Sequence, residues 1–288
     1  MSDGAAGRDS GSGSGPGSGS GSGSNSGPHS NRDDHPAWYV TRALSTAIAR
    51  IGRNPLLLAP FALAGFVLAI IDTMRRHDPI PVLEYGGLEQ ATIHLEFVGY
   101  PTATGQTTLP LEALVGLELP YLVWGGGLYV LSLLAVSAAG VLTFTALLDG
   151  EAHFGPLPSY VGLVVGLDLG YRLLSSAEFL QNMGLLGIVP LALALFALVW
   201  LFPAPGLVAA GVSPWNALRW SGAVVRGERW TVLGLVLLLG IGTWLLASVP
   251  VVGTFLTGAL IAPLHAALIV SLFEYRRAGE RFLAPSEP

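Results

Sequence analysis

The chain has 288 residues, 51% of them hydrophobic and only 11% charged, where an average soluble chain is roughly 25% charged; with a mean hydropathy of +0.59, that excludes an ordinary water-soluble globule and points to a polytopic membrane protein. The formal charge is -5, cysteine is absent, and all 14 residues of the Lys+Arg count are arginine. Disulfides, thiolate metal sites and cysteine nucleophiles are therefore excluded, and the basic surface is too small for nucleic acid.

Residues 1–36, with GSGSGPGSGSGSGSNSGPHS at their centre, cannot bury enough apolar surface to offset the entropy of ordering, so the sequence predicts a disordered tail. The tail has no apolar run, so it is not a cleaved signal peptide. From Ala37 to Asn54 the pattern becomes amphipathic and helical, with Trp38 and Tyr39 at its start and Arg42, Arg50 and Arg53 along it. Such a helix suits the headgroup layer of a bilayer. Pro55 then opens a first span, Leu56 to Ile71, which reaches the length of ~30 Å of hydrocarbon only with its flanks.

Asp72 to Glu118 forms an acidic extracellular loop, carrying Asp72, Asp78, Glu84, Glu89, Glu96, Glu112 and Glu118 against only Arg75 and Arg76. Within it Ala91, Ile93, Leu95 and Phe97 alternate with Thr92, His94 and Glu96, the period of a strand. His94 and Glu96 share a face there, but no third or fourth ligand has a recognisable spacing, and we read a solvated strand rather than a metal site.

Leu119 to Leu148 is a second, long span. Its Gly125, Gly126 and Gly127, and Ala135 with Ala139, offer faces for close helix packing; a substrate-binding break at the three glycines is the sharper alternative. Leu157 to Phe179 is apolar enough to insert yet carries Asp168 and Arg172, four apart with the acid first, so that they can neutralise each other on a helix. Leu185 to Phe202, Leu233 to Val249 and Val252 to Phe273 complete the spans, the last two joined only by SVPVV as a tight hairpin. Gly258, Ala262 and Ala266 form a small-residue ridge on the last.

Arginine placement decides whether Leu157 to Phe179 spans, because short cytoplasmic loops collect basic residues. With six crossings and both termini cytoplasmic, the groups Arg42, Arg50 and Arg53, then Arg219, Arg226 and Arg229, then Arg276, Arg277 and Arg281 all lie inside. With five, the middle group falls outside. The expected fold is all-α: a polytopic helical membrane bundle of six transmembrane helices with interfacial amphipathic helices over 37–282, between the tail 1–36 and a short tail 283–288, in the plasma membrane.

Ionisable residues at membrane depth are functional candidates by default, here Asp168, Arg172 and His265. Convergence on a cavity would suit a small transporter or permease-like subunit. The plainer reading has Asp168 and Arg172 paired within one helix, His265 donating to a carbonyl freed by Pro263, and Asp72, Asp149 and Glu274 at helix ends in water.

In the segment Phe202 to Gly234, Ser213 with Pro214 reads as an N-cap followed by proline at the first helical position. Beyond it Asn216, Arg219, Ala223 and Arg226 share one helical face, Leu218, Ser221, Gly222 and Val225 another, and Trp215, Trp220 and Trp230 lie near the boundaries. This is an interfacial collar feeding a span. The run Phe202-Pro203-Ala204-Pro205, Ala217-Leu218, Ser221 and Gly227 resembles the membrane domain associated with glycerophosphoryl diester phosphodiesterases in bacterial and archaeal polytopic proteins, over Leu157 to Phe273. The all-arginine, acidic-loop composition also resembles multi-pass proteins of halophilic archaea. The resemblance implies a helical membrane domain without the phosphodiesterase chemistry, which in that family belongs to a separate soluble barrel with His and Glu residues whose motif is not matched here.

No G-x-S-x-G, H-E-x-x-H, P-loop or Rossmann pattern stands in a usable context. The expectation is a non-enzymatic multi-pass protein with no cofactor and no metal, partnered by the lipid bilayer. Arg219, Arg226, Arg229, Trp215, Trp220 and Trp230 are its candidates for gripping anionic lipid headgroups or organising partners. The alternative is the transporter with Asp168, Arg172 and His265. Protein partners and oligomeric state are left open.

Overall fold

The computed structural model describes residues 36–78, 83–84, 99–105, 107–108, 118–175 and 188–283. Residues 1–35 of the expected tail 1–36, the strand over 91–97 with His94 and Glu96, and residues 284–288 lie outside the described residues, as do the side chains of Trp38, Tyr39, Arg277 and Arg281; Pro36, the last residue of that tail, instead opens the first helix.

Helix α1 runs Pro36–Arg53. Its Val40, Ala43, Ala47 and Ile51 recur at helical spacing and meet the core, against two helices of the last hairpin, while Arg42 and Ser45 face out. It stops because the ring of Pro55 disfavours a helical conformation in the preceding residue, and Asn54 has φ −134° and ψ 82°. A 3₁₀ turn, Pro55–Leu58, leads into α2, Ala59–Arg76. The expected loop start at Asp72 is therefore still helix.

Helix α3, Leu119–Leu148, is continuous for 30 residues, so the three glycines do not unwind it. Gly125 is buried, but nothing lies within 4 Å of where side chains on Gly126 and Gly127 would begin. Close approach falls instead on Gly140, where a Cβ would sit 2.5 Å from the Tyr160 hydroxyl. Helix α4, Leu157–Ser175, supplies that tyrosine.

Helix α5, Ile188–Leu201, ends before Pro203, and the short α6, Ala204–Ala209, continues it. The proline-bearing exit is not surface: Phe202, Pro203, Ala204, Pro205 and Gly206 are all buried. A Cβ on Gly206 would lie 2.6 Å from Ile269, so glycine is what lets the kink seat against the last helix. Helix α7, Pro214–Val225, follows Ser213, which holds the N-cap position in extended conformation without a side-chain cap bond. Then come α8, Arg229–Ala247, and after the 248–252 turn, α9, Gly253–Leu256, a π turn, Thr257–Ile261, and α10, Ala262–Leu283. Val251 in that turn has φ 68°, a strained value for a β-branched residue.

Among the described residues five segments are long and apolar enough to cross a membrane: Pro55–Arg76, Leu119–Leu148, Ala192–Ala209, Arg229–Ala247 and Gly253–Arg276. Helix α4 is not among them. Outward faces such as Leu63, Phe66 and Ile70 on α2 are apolar and exposed, as lipid contact requires. Strand structure among the described residues is one short antiparallel ladder, β1 (Leu83–Glu84) with β2 (Thr107–Thr108), Leu83 opposite Thr108.

The deepest packing lies where α3, α4, α6, α7 and α10 meet, around Val141, Phe144, Tyr160, Val164, Ala204, Val208, Ala217 and Ala266 to Ile269. Lipid tails are as apolar as leucine, so close van der Waals fit and interhelical hydrogen bonds must hold such a bundle. At Gly258 a Cβ would lie 2.8 Å from the Gly65 Cα and 3.0 Å from the Ala103 Cβ. The small-residue ridge is thus a seam between the π turn, α2 and the 99–105 segment, with Ala262 and Ala266 buried beyond it.

Candidate functional site

Arg219 on α7, Arg226 at its C-cap and Arg229 at the start of α8 line one groove of about 320 Å³. Its other walls are Phe196, Val199 and Trp200 of α5, with Gly222, Ala223 and Val225 of α7. The helical face read from the sequence accounts for Arg219, Ala223 and Arg226. The turn at Gly227, with φ 98°, brings Arg229 round to the same opening.

Trp200 was absent from the sequence-based set because nothing in its spacing ties it to α7. It packs there because Gly222 has no side chain, the indole lying where a Cβ would project. The Ser221 hydroxyl donates to the Trp200 carbonyl. Arg219 stacks over Trp215, 5.1 Å from the ring centroid, and Trp215, Trp220 and Trp230 are exposed. Among the described residues no carboxylate pairs with Arg219, Arg226 or Arg229. The nearby cations elsewhere are engaged, Arg50 with Glu274 at 2.6 Å and Arg276 with the Arg226 carbonyl.

Of the three intramembrane candidates, Asp168 and Arg172 are brought together, while His265 lines a cavity that neither of them lines. Arg172 Nε donates to Asp168 Oδ2 at 2.7 Å, the Tyr129 hydroxyl donates to the same oxygen, and the Arg172 guanidinium lies 4.8 Å over the Tyr129 ring. Tyr129 completes a compensated cluster; a lone tyrosine in an apolar run carries no mark of that role. His265 stacks on Phe202 at 4.9 Å between ring centroids, and its Nε2 has no hydrogen-bond partner. The Nε2 thus makes no bond to a carbonyl freed by Pro263.

His265 instead lines a cavity of about 50 Å³ with Tyr100, Thr102, Thr104, Phe202, Thr243 and neighbours, room for roughly three to five waters. Burial above all, then the charge of Asp168, pushes the Tyr100 phenol well above its usual range, so it remains a neutral donor.

Asp72 departs most from the expected helix end in water. It is buried and accepts from the Thr107 amide at 3.3 Å and hydroxyl at 2.7 Å and from the Thr254 hydroxyl at 2.6 Å. The Thr104 amide donates to Thr257 at 3.1 Å. One carboxylate thus ties α2, the 99–108 segment and α9 together. Asp149 and Glu274 are exposed, as expected.

Among the described residues no three His, Cys, Asp or Glu side chains gather as a metal site would require. Comparison with protein-family models, curated proteins and solved structures found no match.

Proposed function

We propose that this chain is a non-enzymatic, multi-pass protein of the plasma membrane whose Arg/Trp collar engages anionic lipid headgroups and so anchors or organises the bilayer around it. The observation that carries this reading is the set Arg219, Arg226 and Arg229 on one groove without carboxylate partners among the described residues, beside three exposed tryptophans. Indole rings favour the membrane interface, and each guanidinium near an anionic surface adds about 1 kcal/mol. Three together correspond to roughly a hundredfold in local preference for anionic lipid.

In the same proposal α4 is the sixth crossing, its charge neutralised by the Asp168, Arg172 and Tyr129 cluster, and the collar and both termini are cytoplasmic. The resemblance to phosphodiesterase-associated membrane domains agrees with a membrane module lacking chemistry of its own. The transporter alternative needs Asp168, Arg172 and His265 on one path; Asp168 and Arg172 bond each other, and the cavity that His265 lines is lined by neither of them.

The test replaces Arg219, Arg226 and Arg229 together by Gln and measures lipid retained in mild detergent by native mass spectrometry. The expected outcome is loss of anionic lipid with zwitterionic lipid unchanged. Equal retention of anionic lipid by variant and parent would sink the proposal.

A further inference from the structure

Resting on that reading of the collar, we infer that the groove between α5 and α7 is a discrete site for one anionic phospholipid, the phosphate held by Arg219, Arg226 and Arg229 and the start of one acyl chain lying on Phe196 and Val199. A diffuse basic surface would need only the charges. This groove also has a shape, and the shape is specified by one residue.

The cleft of about 320 Å³ has room for twenty or more waters at ~10–15 Å³ of water-accessible space each. That holds a glycerophosphate group and its first methylenes but not a whole phospholipid. Its two sides differ in chemistry, three arginines from α7 and α8 on one and Phe196, Val199 and Trp200 of the spanning α5 on the other. Phe196 is 55% exposed and lies on the spanning segment Ala192–Ala209, so the apolar side opens toward the membrane. Guanidinium forks match phosphate oxygens in bidentate geometry, and an acyl chain is the occupant that makes use of the apolar half. A free inorganic or sugar phosphate would not.

The Trp200 wall exists because Gly222 leaves space for the indole. Gly222→Leu displaces that wall while leaving every arginine in place, so shape and charge can be varied separately.

The experiment titrates phosphatidylglycerol against the purified full chain in mild detergent and counts bound lipids by native mass spectrometry, with phosphatidylcholine as control and glycerol 3-phosphate as soluble competitor. The expected result is one saturable phosphatidylglycerol per chain, no equivalent site for phosphatidylcholine, and no displacement by millimolar glycerol 3-phosphate. Gly222→Leu weakens the site at least tenfold, and Arg229→Gln by about tenfold, the equivalent of one charge-assisted contact. Should Gly222→Leu fail to fold, Phe196→Ala, at an exposed ring, serves in its place with the same expected weakening.

Unsaturable binding, or unchanged affinity in the shape variants, overturns the discrete site. Loss of anionic lipid only in the triple Gln variant overturns it too while leaving the collar reading standing, and retention in all variants removes both. Displacement by glycerol 3-phosphate would show a soluble phosphate site instead and reject the lipid.

Discussion

A carboxylate at a helix end costs little in water and much in a packed interface, and Asp72 is of the second kind. The Thr107 amide and hydroxyl and the Thr254 hydroxyl are among the donors that converge on it. Asp72→Ala leaves an amide and two hydroxyls without their acceptor, and bonds to a charged group contribute ~1.5–3 kcal/mol each at most, with the total reduced by relaxation. We expect a loss of about 2–4 kcal/mol in detergent thermal unfolding, and roughly half of that for Asp72→Asn, which keeps one acceptor oxygen. A melting temperature unchanged by Asp72→Ala would contradict the latch. The Asp168 and Arg172 pair behaves differently because each charge offsets the other. Asp168→Leu alone removes the carboxylate that both Arg172 and Tyr129 bond and should destabilise by about 3 kcal/mol, whereas Asp168→Leu with Arg172→Met should lie within about 1 kcal/mol of the parent. A double variant as unstable as the single one would mean that the cluster does more than neutralise its own helix.

Small residues on two helices carry the same sequence signal and opposite structural weight. The three glycines of α3 and the Gly258 ridge of the last hairpin both read as packing faces, yet Gly126 and Gly127 meet nothing and Gly258 meets the backbone of Gly65. The difference lies in partners, which spacing along one helix does not specify. Gly258→Ala forces α2 and the π turn apart and should lower stability by about 1–3 kcal/mol. Gly127→Ala should leave thermal unfolding unchanged or raise it slightly, alanine being the better helix former. Reversal of that order would show that the seam has been misassigned. Helix α7 was more legible: the arginine face followed from 100° periodicity, and its start followed from Ser213 and Pro214. What periodicity could not supply was Trp200, because its place depends on how α5 ends at Pro203.

At the scale of the whole molecule, the five segments that are long and apolar enough to cross among the described residues were readable because a long apolar run states its own length requirement. A sixth crossing by α4 rests on charge distribution. The absence of cysteine makes that distribution directly testable, since single cysteines at Glu151, Asn216 and Ser248, all exposed, each report one side of the membrane. With α4 spanning, Glu151→Cys and Asn216→Cys react with an impermeant maleimide only from the cytoplasm and Ser248→Cys only from outside. If Glu151→Cys and Asn216→Cys label from opposite faces, α4 does not cross and the collar is external. Less legible was the connection between α2 and α3. Its acidic composition suggested a solvated loop, but Tyr100, Pro101, Ala103 and Thr107 are buried, and nothing in their local pattern says that Thr257 and Asp72 hold them there.

The Asp72 latch also sets an order in time. Its carboxylate is made with the first spanning helix, and Thr254, one of its donors, lies 182 residues further along. At roughly 5–20 residues per second, synthesis needs on the order of ten to forty seconds to deliver that donor. The two Thr107 donors are made only 35 residues after Asp72, so over most of that interval the Asp72 end of α2 lacks only its Thr254 contact. Helix α2, made early, is thus fully seated only late, and closure of the bundle waits for the final hairpin.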